Sequence, residues 1–148
     1  SEIPPNRKLL EPITNEMLQK FDNYRINEIE KFICRFKNQT NHEIDLKNGI
    51  KLIQIIGSNF SNNKYDHLIN HNTGFNLSIL KAKKGLIEDL IFDKPTILFS
   101  QKGTWKVKIE KDEFDINSKD TFSLPLNTKV SISIDNNEEC FLNCVSKA

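Results

Sequence analysis

The most constraining stretch of this chain begins at Gly103. From Trp105 to Glu110, apolar and charged residues alternate one by one: Trp105, Val107 and Ile109 fall on one side, Lys106, Lys108 and Glu110 on the other. A period of two is the signature of a strand with one face on a core and one toward water. The same rhythm returns at Val130, Ile132 and Ile134, set against Ser131 and Ser133. Between them lie a turn at Lys119-Asp120 and a strand end at Pro125. A chain written this way must pair strands face to face, which points to an all-β domain.

The rest of the sequence extends the pattern. Strands are expected at 43–46 and 49–56, joined by Lys47-Asn48-Gly49, because Asn and Gly both tolerate the positive φ of a tight hairpin. Further strands are expected at 74–81, 86–92, 96–101, 104–111, 121–124, 129–134 and 139–145, with a polar, Asn-rich loop over 57–73. A mixed alternation over 29–36 also reads as a strand. Upstream, Pro4, Pro5 and Pro12 predict an extended arm, and Thr14 is placed to cap a short helix through Arg25 that buries Leu18 and Phe21. The expected organisation is an arm and short helix over 1–25 and a β-barrel domain over 26–148, with no internal repeat.

The remaining composition mostly excludes. Twenty-one basic residues face 20 acidic ones, and the densest basic cluster, Lys81, Lys83 and Lys84, is followed at once by Glu88 and Asp89. Nucleic acid is therefore not an expected partner. No apolar run approaches the roughly 20 residues needed to cross a bilayer, so no membrane partner is expected either. The N-terminus lacks the apolar core of a secretory leader, and three cysteines cannot all pair. Reduced thiols in a cytoplasmic protein are the expectation. Cys140 and Cys144 share one face of a strand and read as buried structural thiols, as does Cys34. There is no phosphate-binding glycine loop, no nucleophile elbow and no His-Glu-x-x-His. Glu88–Asp89, Asp112–Glu113 and Glu138–Glu139 are paired carboxylates, the last two in apparent hairpin turns.

Residues 72–145 resemble the cupin family of small jelly-roll β-barrels. The likeness rests on the strand spacing, on Gly85 and Gly103 as turn points, on Lys119-Asp120 where cupins carry Gly-Asp, and on Pro125-Leu126-Asn127 where they carry Pro-x-Gly. Asn127 can stand for Gly because Asn also visits the left-handed region. The fold this implies is a double-stranded β-helix, the cupin jelly-roll barrel, with an N-terminal arm and one short helix. The family's metal site uses two histidines at alternate positions, a glutamate further on and a third histidine in the second motif. In this sequence the glutamate position falls at Thr96. The paired histidines fall at Leu90 and Phe92, or at Asp89 and Ile91 if the loop is one residue longer, and the third at Val130. Asp89 alone cannot hold a transition metal, so no metal and no cofactor are expected. His42, His67 and His71 lie upstream, and the spacing of the last two is read as solvated loop rather than half a zinc site.

If this register holds, the barrel is lined by Thr96, Leu98, Ser100, Trp105, Val107, Val130 and Ile132, with Asp89 at its mouth. Such a barrel is either filled by its own side chains or keeps a small pocket in which Thr96, Ser100 and the Trp105 indole orient a small apolar or polar ligand. The expected function is that of a metal-free binding or interaction module, and the resemblance implies a homodimer. Two alternatives stand beside it. One is a metal-independent enzyme of the sugar epimerase or isomerase kind, using Glu88 or Asp89. The other is the inactive barrel of a two-barrel metalloenzyme.

Overall fold

A computed structural model describes residues 14–30, 36–39, 43–56 and 74–148. The chain divides into two compact units, Ser1–Ile33 and Cys34–Ala148. In the first, helix α1 spans Asn15–Glu30. Thr14 caps it as its sequence predicts: the Thr14 hydroxyl accepts from the Met17 amide at 3.2 Å. The helix continues past Arg25, so Ile29 and Glu30 are helical and do not open a strand. Leu18 and Phe21 are exposed, not buried as expected. The expected arm, Cys34, all three histidines and the 57–73 loop lie outside the described residues.

Among its described residues the second unit is all-β apart from one helical turn, α2 (Phe36–Gln39), which also ends the strand expected over 29–36. Its strands are β1 (Ile44–Asp45), β2 (Lys51–Ile56), β3 (Phe75–Ile91), β4 (Thr96–Lys102), β5 (Trp105–Ile109), β6 (Asp112–Ile116), β7 (Thr121–Leu124) and β8 (Lys129–Lys147). All pairings are antiparallel. Two of these strands span both layers of the domain. β3 pairs β8 along nearly its whole length, with an irregularity between Ala82 and Lys84. On one side of it, the order β1-β2-β3-β8-β4-β7 forms the larger layer. On the other, the second half of β3 and the first half of β8 continue through β5 to β6 as the smaller layer. The sequence reading cut both long strands in two, at the Lys83-Lys84-Gly85 and Asp135–Glu138 regions. It also placed Asp112–Glu113 in a turn, whereas they begin β6. The turn is one step earlier, at Glu110, which has a φ of 55°.

The inner faces of the two layers meet in one core. Leu52, Leu80, Leu98 and Leu142 from the larger layer join Trp105, Val107, Val130 and Ile132 from the smaller one. On β4, β5 and β8 alternation does the sorting, since the core residues there are flanked by exposed or half-buried neighbours. Cys140 and Cys144 are fully buried in this core, as expected. Burial holds the Cys144 thiol up at about 12, and burial likewise raises Cys140. A smaller cluster, Ile53, Ile55 and Ile79, covers the outside of the larger layer. There Phe36 of α2 meets Phe141 edge-on, with ring centres 5.8 Å apart.

The turns expected from sequence hold the layers in register. Lys47, Asn48 and Gly49 all take positive φ between β1 and β2. Asn127 does so at 53°, in the place where glycine was expected to be replaceable. Gly103, at φ 93°, is required twice over: a Cβ there would lie 2.3 Å from the Cys140 sulfur.

Candidate functional site

The inner face was the first place the sequence pointed to. Thr96, Leu98, Ser100, Trp105, Val107, Val130 and Ile132 all face the interior and are buried, five of them with no measurable exposure in the apolar core. Asp89 does not join them; it is exposed on the outside. The reason is a bulge. The β3–β8 register shifts between Ile87 and Leu90, so that Glu88 and Asp89 are both accommodated on the outer side before Leu90 turns back to Val130. Asp89 takes a φ of 56°, and its amide reaches the Ser131 hydroxyl at 3.4 Å.

That bulge decides between the two registers. Leu90 packs against the core and Phe92 is buried in it, while Ile91 is exposed. The positions that the resemblance assigns to metal ligands would therefore fall at Leu90, Phe92, Thr96 and Val130. Only Thr96 has a donor atom, and its hydroxyl donates to the Lys94 carbonyl at 2.8 Å. Three hydrocarbon side chains and one engaged hydroxyl do not fit a transition metal. Among the described residues, no group of three or more His, Cys, Asp or Glu is placed to hold one.

The other polar handles of the interior are engaged in the same local way. The Ser100 hydroxyl donates to the Gly103 carbonyl at 2.6 Å, and the Trp105 indole N–H donates to the Lys102 carbonyl at 3.2 Å. Each therefore braces the turn between β4 and β5. The sequence reading missed Ser78, which is fully buried on the inner face with its hydroxyl unpartnered among the described residues. A small cavity of about 240 Å³ opens at the barrel rim between Asn76, Phe92, Thr96 and Ser146.

A larger concavity, about 860 Å³, lies on the opposite side of the smaller layer, outside the barrel. Its floor is Ser131 and Ser133; Lys106 and Lys108 flank it on one side, with Glu113 opposite Lys108 and Glu110 at the rim, and Glu88 and Asp89 flank it on the other. Nothing in the sequence marked it as a site, because its parts come from β3, β5 and β8 and meet only through pairing.

No protein-family model and no curated protein matches this sequence. Solved structures are similar in fold. A cupin 2 conserved barrel domain protein from Salinispora arenicola superposes with a TM-score of 0.56 at 12% identity, over 73% of this chain and 83% of the other. KdgF from Halomonas sp. gives 0.53 at 13% identity, over 72% and 87%. The EutQ protein of Clostridium difficile gives 0.53 at 12%, over 73% and 77%. The all-β domain expected from the strand rhythm is the fold of this chain, and the cupin fold implied by the resemblance is the one it shares with these structures.

Proposed function

We propose that this cupin-fold chain is a metal-independent binding module that works through its surface, with the barrel as a packed scaffold. The observation that carries this reading is the content of the ligand positions: Leu90 and Phe92 pack with the core, Val130 is fully buried, and the Thr96 hydroxyl is engaged by a backbone carbonyl. A metal at such a place would meet hydrocarbon where it needs lone pairs. Metal-independent acid–base chemistry in the interior finds no support, since Glu88 and Asp89 line the outer concavity. Self-association belongs to the same reading, supported by Phe75 and Ile97, both exposed on the outer face of the larger layer. A cytoplasmic setting fits the buried cysteines Cys140 and Cys144, neither of which is in a disulfide.

Trp105 is the single tryptophan and is buried in the barrel, so its emission reports on the interior. Stoichiometric Ni²⁺ added to purified, chelator-treated protein should leave that emission unchanged, and elemental analysis should find no stoichiometric transition metal. Quenching that saturates at one equivalent would overturn the reading.

A further inference from the structure

The outer concavity of the smaller layer has features that the packed barrel lacks. β8 runs along its floor, and the short side chains of Ser131 and Ser133 leave it open. β5 on one flank presents Lys106, opposite Ser133, and Lys108, opposite Ser131. β3 on the other flank presents Leu86, opposite Ser133, then Glu88 and Asp89. The row of Lys106 and Lys108 is thus bordered by carboxylates on both sides: Glu88 and Asp89 about 10 Å away at the backbone, which is two strand spacings, and Glu113 of β6 opposite Lys108, with Glu110 at the turn between β5 and β6. Lys129 and Asn127 close one end.

Three points separate this trough from an ordinary charged surface. Lys106, Lys108 and Glu88 form no ion pair with another described residue, although charges elsewhere on the domain do pair: Lys81 with Glu43, and Lys102 with Glu138. The β3 bulge turns two successive carboxylates to the same side, where plain alternation would send one inward. Its rim is also set by three non-glycine residues at positive φ, Asp89, Glu110 and Asn127. Such backbone costs on the order of 1 kcal/mol at Glu110 and less at Asp89 and Asn127, whose residue types reach that region more easily.

We infer that this trough is a binding site for a small zwitterion whose anionic end lies against Lys106 and Lys108 and whose ammonium end lies against Glu88 and Asp89, with Ser131 and Ser133 hydrogen-bonding between them. The volume suits a small molecule. A lining of three lysines and four carboxylates fits neither a simple anion nor a simple cation. Leu86 is the only large apolar side chain in the lining, which disfavours a hydrocarbon ligand. A second copy docked through the same face would set one concavity against another and leave the floor unfilled. The inference rests on the reading of the barrel as a scaffold that works through its outside.

The test is an amide-resolved NMR titration of the full chain. The probes are ω-amino acids from glycine through 4-aminobutyrate to 6-aminohexanoate, with hexanoate and hexylamine as single-charge controls of matched length. At least one amino acid should shift the Ser131, Ser133 and Glu88 amides and bind about tenfold more tightly than either control, the size of one additional charge-assisted hydrogen bond. Binding should weaken with salt. The Lys106→Met/Lys108→Met pair should lose that preference while Trp105 emission, reporting the fold, stays native. Absence of shifts across the series, shifts elsewhere, or a control that binds as well as the zwitterion would overturn the assignment. Failure of the scaffold reading shows separately, as Ni²⁺ quenching of Trp105, and leaves this titration readable in the same samples.

Discussion

Along β5 and the first half of β8, two sets of side chains one residue apart do opposite work. The inner set, Trp105, Val107, Val130 and Ile132, is fully buried and belongs to one continuous core. The outer set, Lys106, Lys108, Ser131 and Ser133, lines an open trough. The same backbone hydrogen bonds hold both, since each paired residue on β5 faces one on β8. The comparison teaches that this layer separates stability from recognition by parity alone. The inner face is packed, whereas no described residue packs on the outer face, which leaves it free to vary.

The largest effect should come from testing that division directly. Trp105→Ala removes the largest side chain of the core and should destabilise by roughly 3–5 kcal/mol, as large-to-small aromatic substitutions in cores do. Lys106→Ala, its immediate neighbour, should change stability by no more than about 0.5 kcal/mol. Urea unfolding followed by far-UV circular dichroism gives both numbers. Comparable losses at the two positions would break the separation.

A second test uses the thiol chemistry of the interior. Burial holds the Cys144 thiol at about 12, against an ordinary value of 9.0. In the unfolded chain the thiol ionises first, so above pH 9 unfolding releases a proton that the folded state retains. The protection conferred by burial is complete below the unfolded value and is lost as pH rises toward the folded one. Between those limits this residue should lower stability by roughly 1.4 kcal/mol per pH unit. Urea midpoints measured at pH 8, 10 and 11 should fall more steeply for the native chain than for Cys144→Ala. Parallel slopes would mean that this part of the interior is wetter than its packing implies, and would blur the contrast with the trough.

How far the sequence foretold this arrangement depends on whether a feature is local. Parity was legible, so Trp105, Val107, Val130 and Ile132 were assigned to the interior and their neighbours to water. Turn chemistry was legible too, as Asn127 and Lys47-Asn48-Gly49 illustrate. Asp89 was misplaced because a bulge shifts every later residue by one, and its presence depends on how β8 pairs, not on residues 86–92 themselves. β6 was missed because Asp112-Glu113-Phe114-Asp115 has weak strand propensity and is held through its pairing with β5. The continuity of β3 and β8 was hidden by residues that would break an isolated strand. The polar handles were located correctly, but their engagement by the carbonyls of Lys94, Lys102 and Gly103 is a matter of turn geometry no spacing reveals. The trough is a product of pairing throughout.

The smallest expected effect concerns the turns, where the cupin pattern and this sequence part company. Two positions that the family fills with glycine carry side chains at positive φ, Lys119 at 73° and Asn127 at 53°. They are not equivalent. Asn reaches the left-handed region at little cost, whereas a lysine there crowds its Cβ against the following carbonyl. Lys119 is nevertheless held in place, because its amide donates to the Ser100 carbonyl at 2.7 Å and the Asp120 amide donates to Asn117 at 2.9 Å. Both bonds use the backbone and survive a glycine. Lys119→Gly should therefore stabilise the domain by up to about 1 kcal/mol, the relief of strain exceeding the added entropy of the unfolded chain. Asn127→Gly should be neutral or slightly destabilising, since less strain is relieved for the same entropic cost. Asn127 also lines the trough, so its substitution is the one of the two that should alter zwitterion binding. Thermal unfolding of the two variants, run beside the NMR titration, sets turn strain and trough recognition on separate axes; a stabilised Asn127→Gly with unchanged binding would place that residue with the scaffold and leave the trough closed at that end by Lys129 alone.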